Sequence, residues 1–176
     1  MRLFIALNIP GEVRKKLYGE AKILEEKDLF TGKIIEEENL HLTLKFLGEV
    51  EESKLAEIKE KLAGIKEKKI DAFLGELGVF DEKFIRIIWI RLLGADELQK
   101  KVDSALSKMF ARENRFMSHI TIARVKSAKE RRRLIDEIKN IKLTNIKFKI
   151  ESFELMKSEL TKEGARYSVI ESYNLL

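Results

Sequence analysis

The sequence predicts a fold of mixed strands and helices in two lobes, each containing a strand–helix–strand unit, related by an approximate twofold axis around a shared cleft. Three observations predict it. Short apolar runs alternate with segments of amphipathic helical spacing. The order strand, helix, strand, helix, strand occurs twice, from Arg2 to Phe80 and from Phe84 to about Glu154. The pattern His-x-Thr occurs once in each half, and its two copies start 78 residues apart.

Residues 1–176 are expected to form one domain of two lobes. A chain of 176 residues has the length of one ordinary domain. The lobes correspond approximately to the sequence halves 1–80 and 84–176, and strands can exchange between them. The duplication rests on the order of elements, because the halves share little identity outside the His-x-Thr pattern.

The first half begins with a buried strand and an amphipathic helix. Arg2–Leu7 is an apolar run that ends before Pro10, a residue that favours a helix start. Apolar residues then recur at helical spacing, which predicts a helix to about Glu26. The following elements are a short strand at 33–35, a His-x-Thr strand that Gly48 ends, a helix marked by Leu55, Ile58, Leu62 and Ile65, and a strand over 70–80 bent at Gly75 and Gly78.

The second half repeats this order and adds strands. Residues 84–92 favour a strand most strongly, because they are rich in isoleucine and aromatic side chains. Ser127 and Glu130 have the spacing of a capping box, which predicts a helix start there. The remaining predicted elements are a helix over 98–109, a His-x-Thr strand over 116–125, a helix through Ile141, strands at 146–150, 153–156 and 167–173, and a turn at 161–164.

The composition excludes several classes of protein. The chain has no cysteine, which rules out disulfides, thiolate metal sites and a cysteine nucleophile. No apolar run is long enough to span a membrane, so a cytoplasmic protein without membrane contact is expected. Charged residues, mostly Lys and Glu, make up 37% of the sequence and cysteine is absent, as is typical of proteins from hot habitats. The net charge of +5 is compatible with a polyanionic partner and does not require one.

Each His-x-Thr pattern lies in a predicted strand. Because successive side chains of a strand point to opposite faces, His41 and Thr43 share one face, and so do His119 and Thr121. The apolar neighbours take the opposite face. We expect these apolar neighbours to lie in the core, together with Phe46 and Trp89. The expected core residues are therefore Leu40, Leu42, Leu44, Phe46, Trp89, Ile120 and Ile122.

Two imidazoles and two hydroxyls can hydrolyse a phosphodiester. One group must take a proton from water and another must give a proton to the leaving oxygen. Two histidines can fill both roles at neutral pH, because a free imidazole titrates near pH 6.5. The hydroxyls of Thr43 and Thr121 can donate hydrogen bonds to the phosphoryl oxygens. This set requires no metal and no cofactor, and the sequence alone does not say which histidine is the acid.

The motifs resemble those of the 2H phosphoesterase superfamily, and within it the RNA 2′,3′-cyclic phosphodiesterases, also called 2′-5′ RNA ligases. The resemblance implies a bilobal α+β fold, with two lobes of antiparallel sheet and outer helices around a central cleft. It implies hydrolysis of RNA 2′,3′-cyclic phosphate ends to 2′-phosphomonoesters. It also implies an ATP-independent joining of tRNA halves through a 2′-5′ linkage. The matching segments cover essentially the whole chain: MRLFIALNIP, NLHLTLKFLGEV, SHITIARVK and SFELMKSELTKEGARYSVIESYNL.

The resemblance assigns roles to individual residues. His41 corresponds to the proton donor to the leaving 3′ oxygen, and His119 to the proton acceptor that activates water. Thr43 and Thr121 correspond to the phosphate-binding hydroxyls. Ser118 is a departure, because many relatives have proline directly before the second histidine.

Two cations are secondary candidates for substrate binding. Arg124 can neutralise phosphate charge, but strict alternation places it opposite His119, so a bulge or a long reach is required. A structural ion pair is the alternative role for Arg124. Lys45 is expected on the His41 face, where it can contact an RNA backbone. Tyr167 and Phe116 are further candidates for contacts in the cleft.

Two other functions fit the same residues. A non-catalytic RNA- or nucleotide-binding module would use the histidines only as contacts. A small cyclic-nucleotide phosphodiesterase would share the site and differ in substrate. The expected partner is RNA with 2′,3′-cyclic phosphate ends, with tRNA halves as one source, and a monomer is the default state.

Overall fold

The computed structural model describes residues 1–143, 145–162 and 164–176. In these residues the chain forms nine β-strands and four α-helices. The helices are α1 (Gly11–Glu26), α2 (Leu55–Ala63), α3 (Asp96–Ala105) and α4 (Arg131–Asn140). The strands are β1 (Arg2–Asn8), β2 (Phe30–Ile34), β3 (His41–Glu49), β4 (Ile70–Val79), β5 (Ile87–Leu93), β6 (His119–Ala128), β7 (Lys147–Ile150), β8 (Ser152–Thr161) and β9 (Gly164–Asn174).

The strands form one antiparallel sheet that consists of two groups. The first, which we call the β1 group, has the order β3-β1-β8-β9; the second, the β5 group, has the order β7-β4-β5-β6, with β2 also paired to β6. In the described part of the chain, β3 and β6 join the groups at one residue pair, Leu42 with Ile120. The predicted α+β class with antiparallel strands is confirmed. Strands β2 and β4 precede residue 84 in sequence but belong to the β5 group.

One hydrophobic core supports both groups. Helix α1 buries four apolar residues at helical spacing, Val13, Leu17, Ala21 and Leu24. The leucines and isoleucines behind the His-x-Thr patterns are buried as well, and Leu42 and Ile120 have no exposed surface. None of the helices in the described residues is long and apolar enough to cross a membrane.

Several element boundaries differ from the predictions. Helix α3 ends at Ala105, before the predicted 109. The predicted capping box is wrong: Ser127 lies in β6, where its hydroxyl hydrogen-bonds Thr31, and α4 begins at Arg131 without a side-chain cap. Pairing with β2 extends β6 to Ala128, so Ser127 belongs to the strand, while Glu130 directly precedes α4. The predicted turn at 161–164 includes Glu163, which lies outside the described residues, as does Thr144.

Leu42→Ala should destabilise the protein strongly, because it opens a cavity at the pair that joins the two strand groups. We expect a loss of about 2–5 kcal/mol in the free energy of unfolding. The measurement is guanidinium unfolding followed by circular dichroism. Phe46→Ala is the control, since Phe46 is 71% exposed, and its expected cost is under about 1 kcal/mol. Equal costs for the two variants would contradict the assigned faces of β3.

Candidate active site

Both His-x-Thr patterns line one cleft of about 650 Å³ between the two strand groups. The two patterns meet because Leu42 of β3 pairs with Ile120 of β6. In an antiparallel register, the neighbours of this pair place His41 opposite Thr121 and Thr43 opposite His119. The two histidines are then diagonal neighbours across the pair. Both imidazoles line the same cleft, and the charge of His119 contributes to the lowered pKa of His41.

A bulge follows the first pattern in β3. Consecutive residues of β1, Ile5 and Ala6, pair with Lys45 and Thr43, so Leu44 is an extra residue on β3. Leu44 and Lys45 are consecutive and both buried, which strict alternation does not allow. Beyond Thr43, the bulge therefore shifts the alternation by one residue. Side chains that a regular strand would turn toward the cleft face the core, and their neighbours face the cleft.

Lys45 does not take its predicted position on the His41 face. Its side chain is 4% exposed and forms an ion pair with Asp103 of α3. Its Nζ also donates a hydrogen bond of 2.7 Å to the carbonyl of Ala111. Lys45 borders the cleft, but its ammonium group is engaged in the protein interior. The bulge is the physical reason for this correction.

The same bulge corrects the prediction for Phe46. Phe46 was expected in the core, yet it is 71% exposed and lines the cleft. Its ring lies 6.1 Å from that of Phe4. Trp89, the other aromatic residue expected in the core, is buried, so that prediction is confirmed.

A matching bulge follows the second pattern in β6. Consecutive residues of β5 pair with Thr121 and Ala123, so Ile122 is the extra residue. Arg124 is therefore exposed and lines the cleft, as its predicted role required. Its positive charge is close enough to contribute to the lowered pKa of His41.

Each imidazole is oriented by the same backbone hydrogen bond. The Nδ1 of His41 lies 2.7 Å from the carbonyl oxygen of Asn39, and the Nδ1 of His119 lies 2.7 Å from that of Met117. A carbonyl oxygen can only accept, so Nδ1 carries the hydrogen in both rings. In the neutral ring the lone pair is then on Nε2.

Aromatic side chains pack against both imidazoles. His41 lies 5.1 Å from Phe4 and 5.2 Å from Tyr167, and His119 lies 5.1 Å from Phe80, between ring centroids. Burial is the largest cause that lowers the pKa of His41 below its ordinary value, and the charges of Arg124 and His119 lower it further. His41 is therefore neutral over a wider pH range than a free histidine.

The threonines bring hydroxyl groups to the same cleft. The Oγ1 of Thr43 lies 3.2 Å from the Nε2 of His41. Because that nitrogen holds the lone pair of the neutral ring, the hydroxyl donates to it. Thr121 is half-buried and lines the cleft beside His119.

The structure adds residues to the site that the sequence did not identify. Phe4 and Phe80 are ring neighbours of the histidines, while Tyr167 and Phe116 line the cleft as expected. No local pattern distinguishes Phe4 or Phe80 from core aromatics, because their position depends on strand pairing. Across residues 1–143, 145–162 and 164–176, no group of three or more His, Asp or Glu side chains is arranged to hold a metal ion.

Two strands that each bring a His-x-Thr pair to one cleft define the chain as a 2H phosphoesterase, a class of hydrolytic enzyme. The comparison with protein families gives the particular family. The family model described as LigT-like phosphoesterase matches residues 7–89 and 94–167. The chain belongs to this family.

Similar proteins span the whole chain. An RNA 2′,3′-cyclic phosphodiesterase of Methanocaldococcus jannaschii is 37% identical, over 98% of this chain and 100% of that protein. One of Archaeoglobus fulgidus is 32% identical, over 95% of this chain and 96% of that protein. Among solved structures, the protein TT0787 of Thermus thermophilus has a TM-score of 0.81 at 25% identity, covering 99% of this chain and 97% of that one. Apo LigT of E. coli has the same fold, with a TM-score of 0.81 at 23% identity, covering 99% and 96% of the two chains.

Arg124→Gln should raise the pKa of His41. Protonated His41 and Arg124 repel each other, so removing the guanidinium charge makes protonation easier. In the unchanged protein we expect the pKa of His41 to lie below the ordinary value of 6.5. The measurement is an NMR titration of the two histidine rings, with Arg132→Gln on α4 as the control. An unchanged pKa of His41 in Arg124→Gln would contradict the assigned position of Arg124.

Proposed function

We propose that this enzyme hydrolyses RNA 2′,3′-cyclic phosphate ends to 2′-phosphomonoesters by acid–base catalysis between His41 and His119. The observation that carries the proposal is the repeated Nδ1 hydrogen bond, which leaves the Nε2 of both rings as the reactive nitrogen in one cleft. The substrate class is supported by relatives of 37% and 32% identity that are named RNA 2′,3′-cyclic phosphodiesterases.

The proposed reaction consists of two linked proton transfers. The Nε2 of His119 takes a proton from water, and the water oxygen attacks phosphorus. The bond from phosphorus to the 3′ oxygen breaks, and His41 gives that oxygen a proton through Nε2. The products are a 2′-phosphomonoester and a 3′-hydroxyl group. These acid and base roles follow the family resemblance, and general acid–base catalysis of this kind contributes about 10²–10⁴ in rate.

Three side chains are proposed to stabilise the charge on the phosphoryl group. The hydroxyls of Thr43 and Thr121 donate hydrogen bonds to the non-bridging oxygens, and Arg124 supplies positive charge from the exposed side of the cleft. Thr43 can turn from the Nε2 of His41 to the phosphate, because a hydroxyl rotates freely about its C–O bond. All roles in the reaction are then filled by side chains, and the scheme requires neither a metal ion nor a cofactor.

The lowered pKa of His41 is compatible with its role as the acid. In the free enzyme, burial and Arg124 disfavour the imidazolium form. A bound cyclic phosphate places a negative charge between the cations and reverses this effect, so the pKa of His41 rises in the complex. The substrate therefore helps to protonate its own acid.

The 2′-5′ ligation is a second candidate function. A 5′-hydroxyl of another RNA end, such as the second half of a cleaved tRNA, can replace water as the nucleophile. Attack then gives a 2′-5′ phosphodiester and the same 3′-hydroxyl group. A specific observation favours it: a second cavity of about 430 Å³ adjoins the cleft and shares Arg124 and Tyr167 with it. This space can hold a further nucleotide.

His41→Ala and His119→Ala should each reduce turnover by about 10²–10⁴-fold, because each removes one proton transfer. The double variant should lose scarcely more, since the two groups act as one unit. The assay opens the cyclic phosphate of a short RNA and separates 2′-phosphate, 3′-phosphate and joined products by chromatography. Arg132→Ala is the control.

The outcomes of this assay distinguish the candidate functions. A 2′-phosphate product supports the hydrolase, and a 2′-5′ linked product in the presence of a 5′-hydroxyl RNA supports ligation. Turnover restricted to 2′,3′-cyclic mononucleotides would favour the small cyclic-nucleotide phosphodiesterase. RNA binding without opening would favour the non-catalytic module. Near-native turnover in His119→Ala would refute the two-histidine mechanism.

The pH dependence should reveal the acid. Protonated His41 is the active form, so kcat/KM should fall as pH rises through the pKa of the free enzyme, below 6.5. The pH profile of kcat reports the enzyme–substrate complex. Its decrease should occur at higher pH than that of kcat/KM, because the bound phosphate favours the imidazolium form. Steady-state kinetics across pH 4–9 measures both profiles. If kcat and kcat/KM decreased at the same pH, that result would contradict coupling between phosphate binding and protonation of His41.

A further inference from the structure

The buried ion pair of Lys45 and Asp103 has no part in the proposed reaction. The side chains are 4% and 11% exposed. Removing two charges from water is costly, and a hydrophobic pair of similar volume is often as stable. Stability of the fold alone therefore does not account for an ion pair at this position.

The repeated architecture offers an internal comparison. In β6, the residue at the position of Lys45 is Ala123: each follows its His-x-Thr pattern directly after the extra residue of the bulge. Ala123 is buried and apolar. The bulge can thus form without a charged side chain, so the bulge does not explain the lysine of β3.

The ion pair holds one loop segment. The Nζ of Lys45 donates to the carbonyl of Ala111 at 2.7 Å, and the Oδ1 of Asp103 accepts from the backbone N–H of Glu113 at 3.1 Å. Burial alone would raise the pKa of Asp103, but Lys45 and this N–H together keep it below its ordinary value. Asp103 is therefore ionised and bound to both partners.

The same segment continues into the cleft. Arg115, Phe116 and Met117 line the cleft, and the carbonyl of Met117 accepts the Nδ1 hydrogen of His119. Residues 106–118, all of them described, contain no α-helix or strand. Their position therefore depends on individual contacts such as those of the ion pair.

We propose that Lys45 and Asp103 are positioning residues that fix the 111–117 segment and, through the carbonyl of Met117, hold His119 in its Nδ1–H tautomer. This deepens the proposed function, because it rests on His119 as the base. Both strand groups then contribute to the position of His119. Lys45 comes from the strand of His41, and the segment that it holds leads to His119.

The test removes the charges and keeps the volume. The variants are Lys45→Met, Asp103→Asn and the double change Lys45→Met with Asp103→Leu, which fills the site with apolar side chains and should fold. Ring ¹⁵N chemical shifts report the tautomer of each histidine. We expect the Nδ1–H form of His119 to become less populated, while His41 stays unchanged, because its partner Asn39 lies outside the segment.

Kinetics on the cyclic-phosphate RNA completes the test. We expect kcat to fall about 10-fold and KM to change less than about twofold, by analogy with the loss of a residue that orients a metal-bound histidine. Lys149→Met, which removes the exposed ion pair with Asp71, is the control and should change neither kcat nor KM.

Each outcome decides a separate point. An altered tautomer of His119 with reduced kcat supports the proposal. An unchanged tautomer in the folded double variant would overturn it, and so would equal changes at His41 and His119, since those indicate general loosening. An altered tautomer with unchanged kcat would support the positioning role and count against His119 as the base.

Discussion

The pairing of Leu42 with Ile120 is the contact on which the site depends. It joins the β1 group to the β5 group, and in the described chain it is the one position at which β3 and β6 pair. The side-chain period of a strand is two, so a slip by one residue would turn one His-x-Thr face away from the other. Complete burial of both residues opposes such a slip, because it would expose one apolar face of the sheet.

The two bulges convert a symmetric pattern into an asymmetric site. Both strands show the same succession of buried and partly exposed residues through the bulge. The side chains at corresponding positions differ: Phe46 in β3 matches Arg124 in β6, and Lys45 matches Ala123. This difference brings an aromatic ring from β3 and a guanidinium group from β6 to the same cleft. It also makes the two histidines inequivalent, because the charge of Arg124 acts on His41.

Most of the fold, and the core of the site, could be predicted from periodicity and from the repeated motif. The helix from Gly11 to Glu26 and the bulge of β4 at Gly75 needed only local patterns, whereas the irregularity predicted at Gly78 is absent because Gly78 pairs regularly with Trp89. Predictions that assumed unbroken alternation were wrong at Lys45 and Phe46, since a bulge is a property of two paired strands. The capping box at Ser127 was wrong for a related reason: pairing with β2 was stronger than the local preference for a helix cap.

In the proposed mechanism, the partners of the two Nδ1 atoms leave the Nε2 of each ring to give or take a proton. A carboxylate at Nδ1 would fix the tautomer but also stabilise the imidazolium form. The carbonyls of Asn39 and Met117 fix the tautomer without adding a formal charge. Packed aromatic rings remove water from the imidazoles, which strengthens these hydrogen bonds and the interaction with a bound anion. For His41, burial lowers the pKa most, the hydrogen bond to Asn39 acts in the opposite direction, and the charge of Arg124 adds to the lowering. In the proposed mechanism, a bound phosphate then raises this pKa and couples protonation to the arrival of the substrate.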